Sequence, residues 1–421
     1  MKLTKLEKSW VLYDVGNSAF ILMTSTVIPI YFKNIAQSAG VSLSDSTAYW
    51  GYAASLVTII IALLGPILGS IGDHRGYKKR FFTAFMLLGV AGCLALAVPL
   101  YWVAFLIVFI VAKIGISGSF IFYDAMLPDI STDDRMDEVS SYGYAFGYIG
   151  SCIPFVVGLG LILTADMTGI GTQTATMIAL VITGLWWLLI TLPLLKKYKQ
   201  VYYVQDTKHP VRESVARLFA TIKDIRGNAS VFSFLLAFFL YIDGVYTIID
   251  MATSYGKDVG ISDNNLLLAL LVTQIIAFPF AIIFGRLSKR FSTTRLISVC
   301  IAGYFGITLF ALQLDAAWEF WFLAVCVAIF QGAIQALSRS YFAKIVPKDK
   351  SNEYFGLLDI FGKGAAFMGT LLMGLASQLT GSSTYGVACL SVMLVLGFIV
   401  FRLHLKRMKK DAAKQAGEPL A

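Results

Sequence analysis

Two ionisable side chains lie near the middle of long apolar runs, Lys113 and Asp243. Lys113 stands about 18 Å of helical rise beyond Tyr101, where its run begins. Asp243 sits at a similar depth in a later run. A charge held at mid-bilayer costs at least ~2.5–3.5 kcal/mol on insertion scales, so neither group is expected to face lipid. A lysine and an aspartate so placed suit two kinds of chemistry. In one they contact a zwitterion, Lys113 taking a carboxylate and Asp243 an amine or a proton. In the other they pair with each other and close an internal gate. The two coexist if a bound molecule breaks the pair. Gln331 and Gln335 are four residues apart and share a helical face, with Arg339 one turn further. Asp14 and Asn17 lie in the first run, Asp14 as the alternative to Asp243 for carrying a proton and Asn17 as a hydrogen-bonding group.

The remaining polar residues inside the runs have plainer roles. Asp359 and Lys363 are four apart and are expected to pair with each other. Asp250 is placed near the outer surface, Asp124 near a helix end, and Gln274 beside Pro279 as a local backbone partner. Bond-breaking chemistry finds little support. The histidines (His74, His209, His404) are read as lying in cytoplasmic segments, and no span carries zinc-ligand or nucleophile–base spacing. The five cysteines fall in spans at unrelated intervals and read as small packing residues. No enzyme activity, cofactor or metal is expected.

These residues need a frame of membrane helices. The 421 residues are 57% hydrophobic, above the roughly 45–50% of ordinary soluble domains. Twelve candidate spans follow: Trp10–Phe32, Ala48–Ile71, Phe81–Pro99, Tyr101–Met126, Ser140–Thr164, Gln173–Leu195, Asn228–Ser254, Leu266–Leu287, Arg295–Leu314, Trp318–Ile345, Asn352–Leu379 and Tyr385–Leu405. Each is near the ~20 residues that cross a bilayer. The runs are continuous rather than alternating, which excludes a β-barrel. The first is too long for a signal-peptide core and lacks a small-residue cleavage site, so it reads as a retained helix.

Net charge +9 raises the question of nucleic acid, and the distribution answers it. With the N-terminus in the cytoplasm, nearly every loop lysine and arginine falls inside, and only Lys33 and Lys257 fall outside. That asymmetry places both termini in the cytoplasm. The charge then reports orientation and contact with anionic headgroups, not nucleic acid.

The chain divides into an N-terminal bundle (1–195), a cytoplasmic linker (196–227) and a C-terminal bundle with a basic tail (228–421). In the linker Pro210 opens an amphipathic helix with Val211, Val215, Leu218, Ile222 and Ile225 on one stripe, closed by Gly227. The halves echo each other at an offset of about 215 residues. Glu138 with Phe146-Gly147 recurs as Glu353 with Phe361-Gly362, and Gly69-Ser-Ile-Gly-Asp73 recurs as Gly285-Arg-Leu-Ser-Lys289.

The loop Gly69-Ser-Ile-Gly-Asp73-His-Arg75-Gly76-Tyr-Lys78-Lys79-Arg80 resembles the signature between helices two and three of the major facilitator superfamily. Asp73 is expected to accept from a neighbouring helix N-terminus or an arginine, and the basic run to stay with the headgroups. Asp73, Arg75 and Arg339 are the expected gating residues, a latch that breaks when the bundles rock. Four longer strings resemble the vacuole-effluxer-like branch: Trp10-Val-Leu-Tyr-Asp14-Val-Gly-Asn17-Ser-Ala-Phe20, Phe122-Tyr-Asp-Ala-Met-Leu-Pro128, Phe238-Phe-Leu-Tyr-Ile-Asp243-Gly244-Val and Gln335-Ala-Leu-Ser-Arg339-Ser-Tyr.

The resemblance implies an all-α membrane protein of twelve helices in two pseudo-symmetric six-helix bundles. It implies that the first and fourth helices of each half line a central cavity, which makes Lys113, Asp243, Gln331, Gln335 and Asn17 the substrate-binding candidates. Asp243 and Asp14 are then the proton-coupling ones. It implies alternating-access transport of a small metabolite, an amino acid or related zwitterion, with protons as the coupling ion. Fungal members imply amino-acid efflux. Compact loops suit a bacterial member, a monomer in the plasma membrane. A multidrug exporter on the same scaffold is the alternative.

Overall fold

The computed structural model describes residues 2–205, 210–224, 227–258, 263–382 and 384–416. In the first half of the sequence lie α1 (Lys5–Ser25), α2 (Val27–Ser38), α3 (Leu43–Gly72), α4 (Tyr77–Ala95), α5 (Trp102–Ala125), α6 (Leu127–Ile130), α7 (Met136–Leu163), α8 (Ala165–Thr168) and α9 (Thr172–Lys197). Then come α10 (Pro210–Lys223), α11 (Ala229–Asp258), α12 (Asp263–Leu287), α13 (Thr293–Ala311), α14 (Ala317–Ile345), α15 (Ser351–Thr380) and α16 (Thr384–Ala416). Backbone polar groups in hydrocarbon must be satisfied within the segment, so continuous apolar runs become helices. Local chemistry sets several starts. Thr4 and Glu7 close a capping box on α1, while Ser42 and Ser292 cap α3 and α13 through their hydroxyls.

Ten helices among the described residues are long and apolar enough to cross a membrane, and the bent pair α1–α2 makes an eleventh. The expected first span is therefore not one straight rod. It breaks at Thr26 by 40°. Pro29 lies just beyond and has no N–H to give the preceding turn, while the Thr26 hydroxyl takes the Leu22 carbonyl at 2.6 Å. The expected third span, α4, is not among those ten helices. Its 19 residues open with Lys78, Lys79 and Arg80, which leaves no stretch of that length low in charge.

The chain forms two compact units. Unit 1 comprises Met1–Thr132, Phe146–Val215 and Lys348–Gly356; unit 2 comprises Asp133–Ala145, Ala216–Pro347 and Leu357–Ala421. Each thus incorporates a short segment from the other half of the sequence. The dividing point falls inside α10. The buried face of that helix carries Ser214, Leu218 and Thr221, whereas Val211 and Ile222 of the expected stripe are exposed. Ile225 and His209 lie outside the described residues.

Each unit has an aromatic core in which several polar tips make hydrogen bonds across helices. In unit 1 Trp10 stacks on Tyr123 at 4.4 Å, and the two exchange side-chain to backbone hydrogen bonds of 3.0 and 3.1 Å. Tyr13 on α1 bonds Ser119 on α5 at 2.5 Å. Unit 2 repeats the device: Tyr241 on α11 bonds Ser338 on α14 at 2.6 Å. Helices α4 and α5 meet at Gly89 and Gly115, where a Cβ on Gly115 would stand 2.2 Å from the Gly89 nitrogen.

Candidate functional site

Asp243 is the polar group most at odds with its surroundings. It lies on α11 in unit 2 with no exposed surface; the Gly369 backbone N–H on α15 is set against it, but neither carboxylate oxygen makes a well-formed hydrogen bond among the described residues. Thr247, one turn along, is equally buried and its hydroxyl is likewise unmatched. Both face α15 at Gly369. A Cβ there would stand 2.0 Å from Thr247 Oγ1 and 2.5 Å from Asp243 Oδ1, so only glycine lets the two helices close over this pair.

Thr247 also opens onto a cavity of about 110 Å³ within unit 2. Its wall is largely apolar, from residues such as Met251, Leu323 and Met373, with Thr273, Gln274 and Gln331 as polar points. The expected glutamine face is thus split. Gln331 reaches the cavity, whereas Gln335 turns along its own helix and donates to the Gln331 carbonyl at 3.1 Å. Asp359 and Lys363 pair at 2.6 Å as their spacing suggests.

In unit 1, Lys113 is half-buried on α5. Asp14 and Asn17 are buried on α1, where the Asn17 amide donates to the Tyr13 carbonyl at 2.9 Å and lies 3.5 Å from Asp14 Oδ1. The Asn17 carbonyl oxygen has no hydrogen-bond partner among the described residues. Gly147 on α7 brings that helix close to Ser18 and Asp14.

A second set of residues binds loops to helix ends. Asp73, 1% exposed, follows directly on α3. Its Oδ1 accepts from the Asn352 backbone and side chain at 2.9 and 2.8 Å, and its Oδ2 from the Glu353 backbone at 3.2 Å. It therefore caps the first turn of α15, where the helix dipole favours an anion. Burial pushes the Asp73 carboxyl up to about 7, against the pull of Lys78 and of the Asn352 donors and with help from Glu353. Glu353 in turn accepts from the Ser70 hydroxyl at 2.9 Å.

Lys78 stands beside this cluster and departs from expectation. The basic run was expected to stay with the headgroups, yet Lys78 is wholly buried. It pairs with Asp129 at 2.8 Å and donates to the Ala125 carbonyl and the Ser351 hydroxyl, both at 2.9 Å. The C-terminal carbonyls of α5 and the carboxylate just beyond supply the negative end that draws it in. Tyr198 also donates to Asp129, and burial together with that carboxylate pushes its phenol well above the ordinary range. Arg75 is instead exposed, over the Tyr203 ring at 5.5 Å.

Unit 2 holds the counterpart. Arg339 donates to the Ser140 hydroxyl and carbonyl at 2.9 and 3.0 Å and covers the Tyr144 ring at 4.5 Å. Asp137 joins Lys344 at 2.7 Å and Ser340 at 2.6 Å, and Glu138 joins Lys289 at 2.7 Å. The two sequence echoes thus meet crosswise. Gly69 packs on Asn352 beside Asp73, and Gly285 packs on Ser141 beside Lys289. Asp73 accepts from a helix N-terminus, but nothing in the repeat named Asn352 and Glu353 as its donors, and Lys78, Asp129 and Ser351 carried no signal beyond a basic run and an acid after Pro128.

The model of the family described as "Vacuole effluxer Atg22 like" matches residues 44–414. The chain belongs to this Atg22-like family. Consistently, it is 44% identical to the MFS-type transporter YxiO of Bacillus subtilis over 99% of both chains. It is 24% identical to autophagy-related protein 22 of Eremothecium gossypii over 97% of this chain and 92% of that one. Among solved structures, the human organic anion transporter MFSD10 matches with a TM-score of 0.72 at 14% identity, covering 94% of this chain and 98% of that one. The transporter FucP matches with a TM-score of 0.69 at 16% identity, over 95% and 97%. At those identities the likeness is one of fold. This Atg22-like chain is a multi-pass membrane protein and a transporter of the major facilitator type, not an enzyme.

Proposed function

We propose that the chain is a proton-coupled secondary transporter that moves a small zwitterion, an amino acid or close relative, by alternating access. The observation that carries this reading is the Asp243 carboxylate, fully buried with neither oxygen in a well-formed hydrogen bond among the described residues. An ionised carboxylate buried with at most one weak backbone donor costs several kcal/mol, and a proton removes that cost. Asp243 is then where a proton is taken up and returned, with Asp14 as the alternative carrier. Lys113 receives the substrate carboxylate, and Gln331, Gln335 and Asn17 supply hydrogen bonds. Asp73 and Arg339 serve as latches that alternate with transport.

In this reading α4 is a twelfth span, short because its basic first turn stays at the interface. Both termini are cytoplasmic in a bacterial plasma membrane, following the positive-inside asymmetry. The family description supports efflux as the direction. The test is accumulation of labelled neutral amino acids by reconstituted vesicles under an imposed pH gradient. Gradient-dependent accumulation supports the reading; its absence across the panel overturns it. Lys113→Ala should weaken apparent affinity for a carboxylate substrate about tenfold, the loss of one charge-assisted hydrogen bond, with the melting temperature unchanged. Unaltered kinetics would remove Lys113 from the site.

The apolar wall of the unit 2 cavity favours a second reading, export of apolar drugs on the same scaffold. Competition by lipophilic cations without competition by amino acids would select it.

A further inference from the structure

In unit 1 an open groove of about 590 Å³ runs between the start of α4 and the strap that follows α9. Lys79, Arg80 and Lys199 stand around its upper end. None of the three has a carboxylate partner among the described residues; Arg80 lies over the Tyr77 ring at 5.6 Å. Below them the wall turns apolar at Ala84 and Leu87, and Leu87 is 46% exposed. The groove is in the size range of a small-molecule site.

Asp129 serves Lys78 at this end, but the bases that line the groove, Lys79, Arg80 and Lys199, have no carboxylate of their own among the described residues. Helix α4 starts at Gly76 with a left-handed φ of 79°, where the neutral Gln200 amide oxygen accepts from the Gly76 N–H at 2.8 Å. Its first turn carries three basic residues at the positive end of the helix dipole, where acids are favoured and cations destabilise. Lys78 is neutralised internally by Asp129, while Lys79 and Arg80 are not. A phosphate seated here would supply the missing charge. The exposed apolar wall immediately below distinguishes a lipid from a soluble anion, because free phosphate gains nothing from Ala84 and Leu87.

We propose that this groove binds an anionic phospholipid, its phosphate held by Lys79, Arg80 and Lys199 and one acyl chain laid on Ala84 and Leu87. The occupant would also steady the buried cluster beneath. Tyr198, which lines the groove, bonds the same Asp129 that neutralises Lys78, and Lys78 in turn holds Ser351. Lipid binding therefore reinforces the end of α3 and the first turn of α15.

The test is native mass spectrometry of the delipidated full chain titrated with phosphatidylglycerol, phosphatidylcholine or inorganic phosphate, with melting temperature read in parallel. Phosphatidylglycerol should be retained and raise the melting temperature. The variant Lys79→Gln/Arg80→Gln/Lys199→Gln should weaken retention about a hundred-fold, roughly five-fold for each basic side chain. A control of equal charge change, Arg402→Gln/Lys406→Gln/Lys409→Gln on α16, should leave it intact. Equal retention of phosphatidylcholine, an equal shift from inorganic phosphate, or equal weakening by the control would each overturn the proposal. Should the groove variant fail to fold, a photoactivatable phosphatidylglycerol on the unsubstituted protein decides. Labelling within 76–87 and 198–200 supports the site, and labelling confined elsewhere overturns it.

Discussion

Asp243→Asn is expected to reduce pH-gradient-driven accumulation to the level of protein-free vesicles while leaving substrate counterflow measurable. Asparagine matches the shape of aspartate but takes up no proton in this range, so it severs coupling without emptying the space beside Gly369. It also removes an unmatched buried carboxylate, so thermal stability should stay level or rise. That combination separates a coupling residue from a structural one, whose loss would lower both. Gly369→Ala probes the same geometry from the opposite helix. Its new Cβ would stand 2.0 Å from Thr247 Oγ1 and must push α15 away, lowering stability by about 1–3 kcal/mol and coupling with it. Full gradient-driven transport by Asp243→Asn would reassign the proton to another carboxylate, Asp14 first.

Asp73→Ala should be the most destabilising single change on the loop between α3 and α4. It leaves the Asn352 and Glu353 backbone donors and the Asn352 amide buried without their acceptor, at about 1–3 kcal/mol for each unsatisfied group. A total of about 3–9 kcal/mol is expected. The pH dependence gives a second readout with a definite sign. The folded carboxyl is raised to about 7, whereas the unfolded one titrates near ~3.9. Between those values the folded state holds the extra proton, so this residue's contribution to stability is fullest at low pH. It declines as pH rises toward about 7. Asp73→Asn should flatten that slope. A slope that persists in the variant assigns it to another group.

What the sequence made legible follows from the membrane. Continuous apolar runs announce helices because no other open backbone survives in hydrocarbon, and Asp243 stood out because such a setting tolerates few carboxylates. The internal echo also carried real geometry, since Gly69 and Gly285 both mark close helix approaches. Three things were hidden. Lys78 looked like one more headgroup lysine, and only the folding of α5 toward α4 shows that Asp129 and the Ala125 carbonyl await it. The bend at Thr26 needed the hydroxyl and Pro29 acting together. Gln335 shares a helical register with Gln331, yet its amide closes on its own backbone, a choice that periodicity alone does not reveal.

The incorporation of residues 348–356 into unit 1 has a consequence for biogenesis. Asp73 meets Asn352 across 279 residues, and ribosomes add roughly 5–20 residues per second, so the aspartate leaves the ribosome about 14–56 s before its partner. For that interval Asp73 waits for its donors, while Lys78, which meets Asp129 at a separation of 51 residues, waits only for Ser351. Insertion machinery or bound lipid must shelter them. Translation pauses or truncations between the two positions would then yield degradation-prone fragments rather than a stable half-molecule.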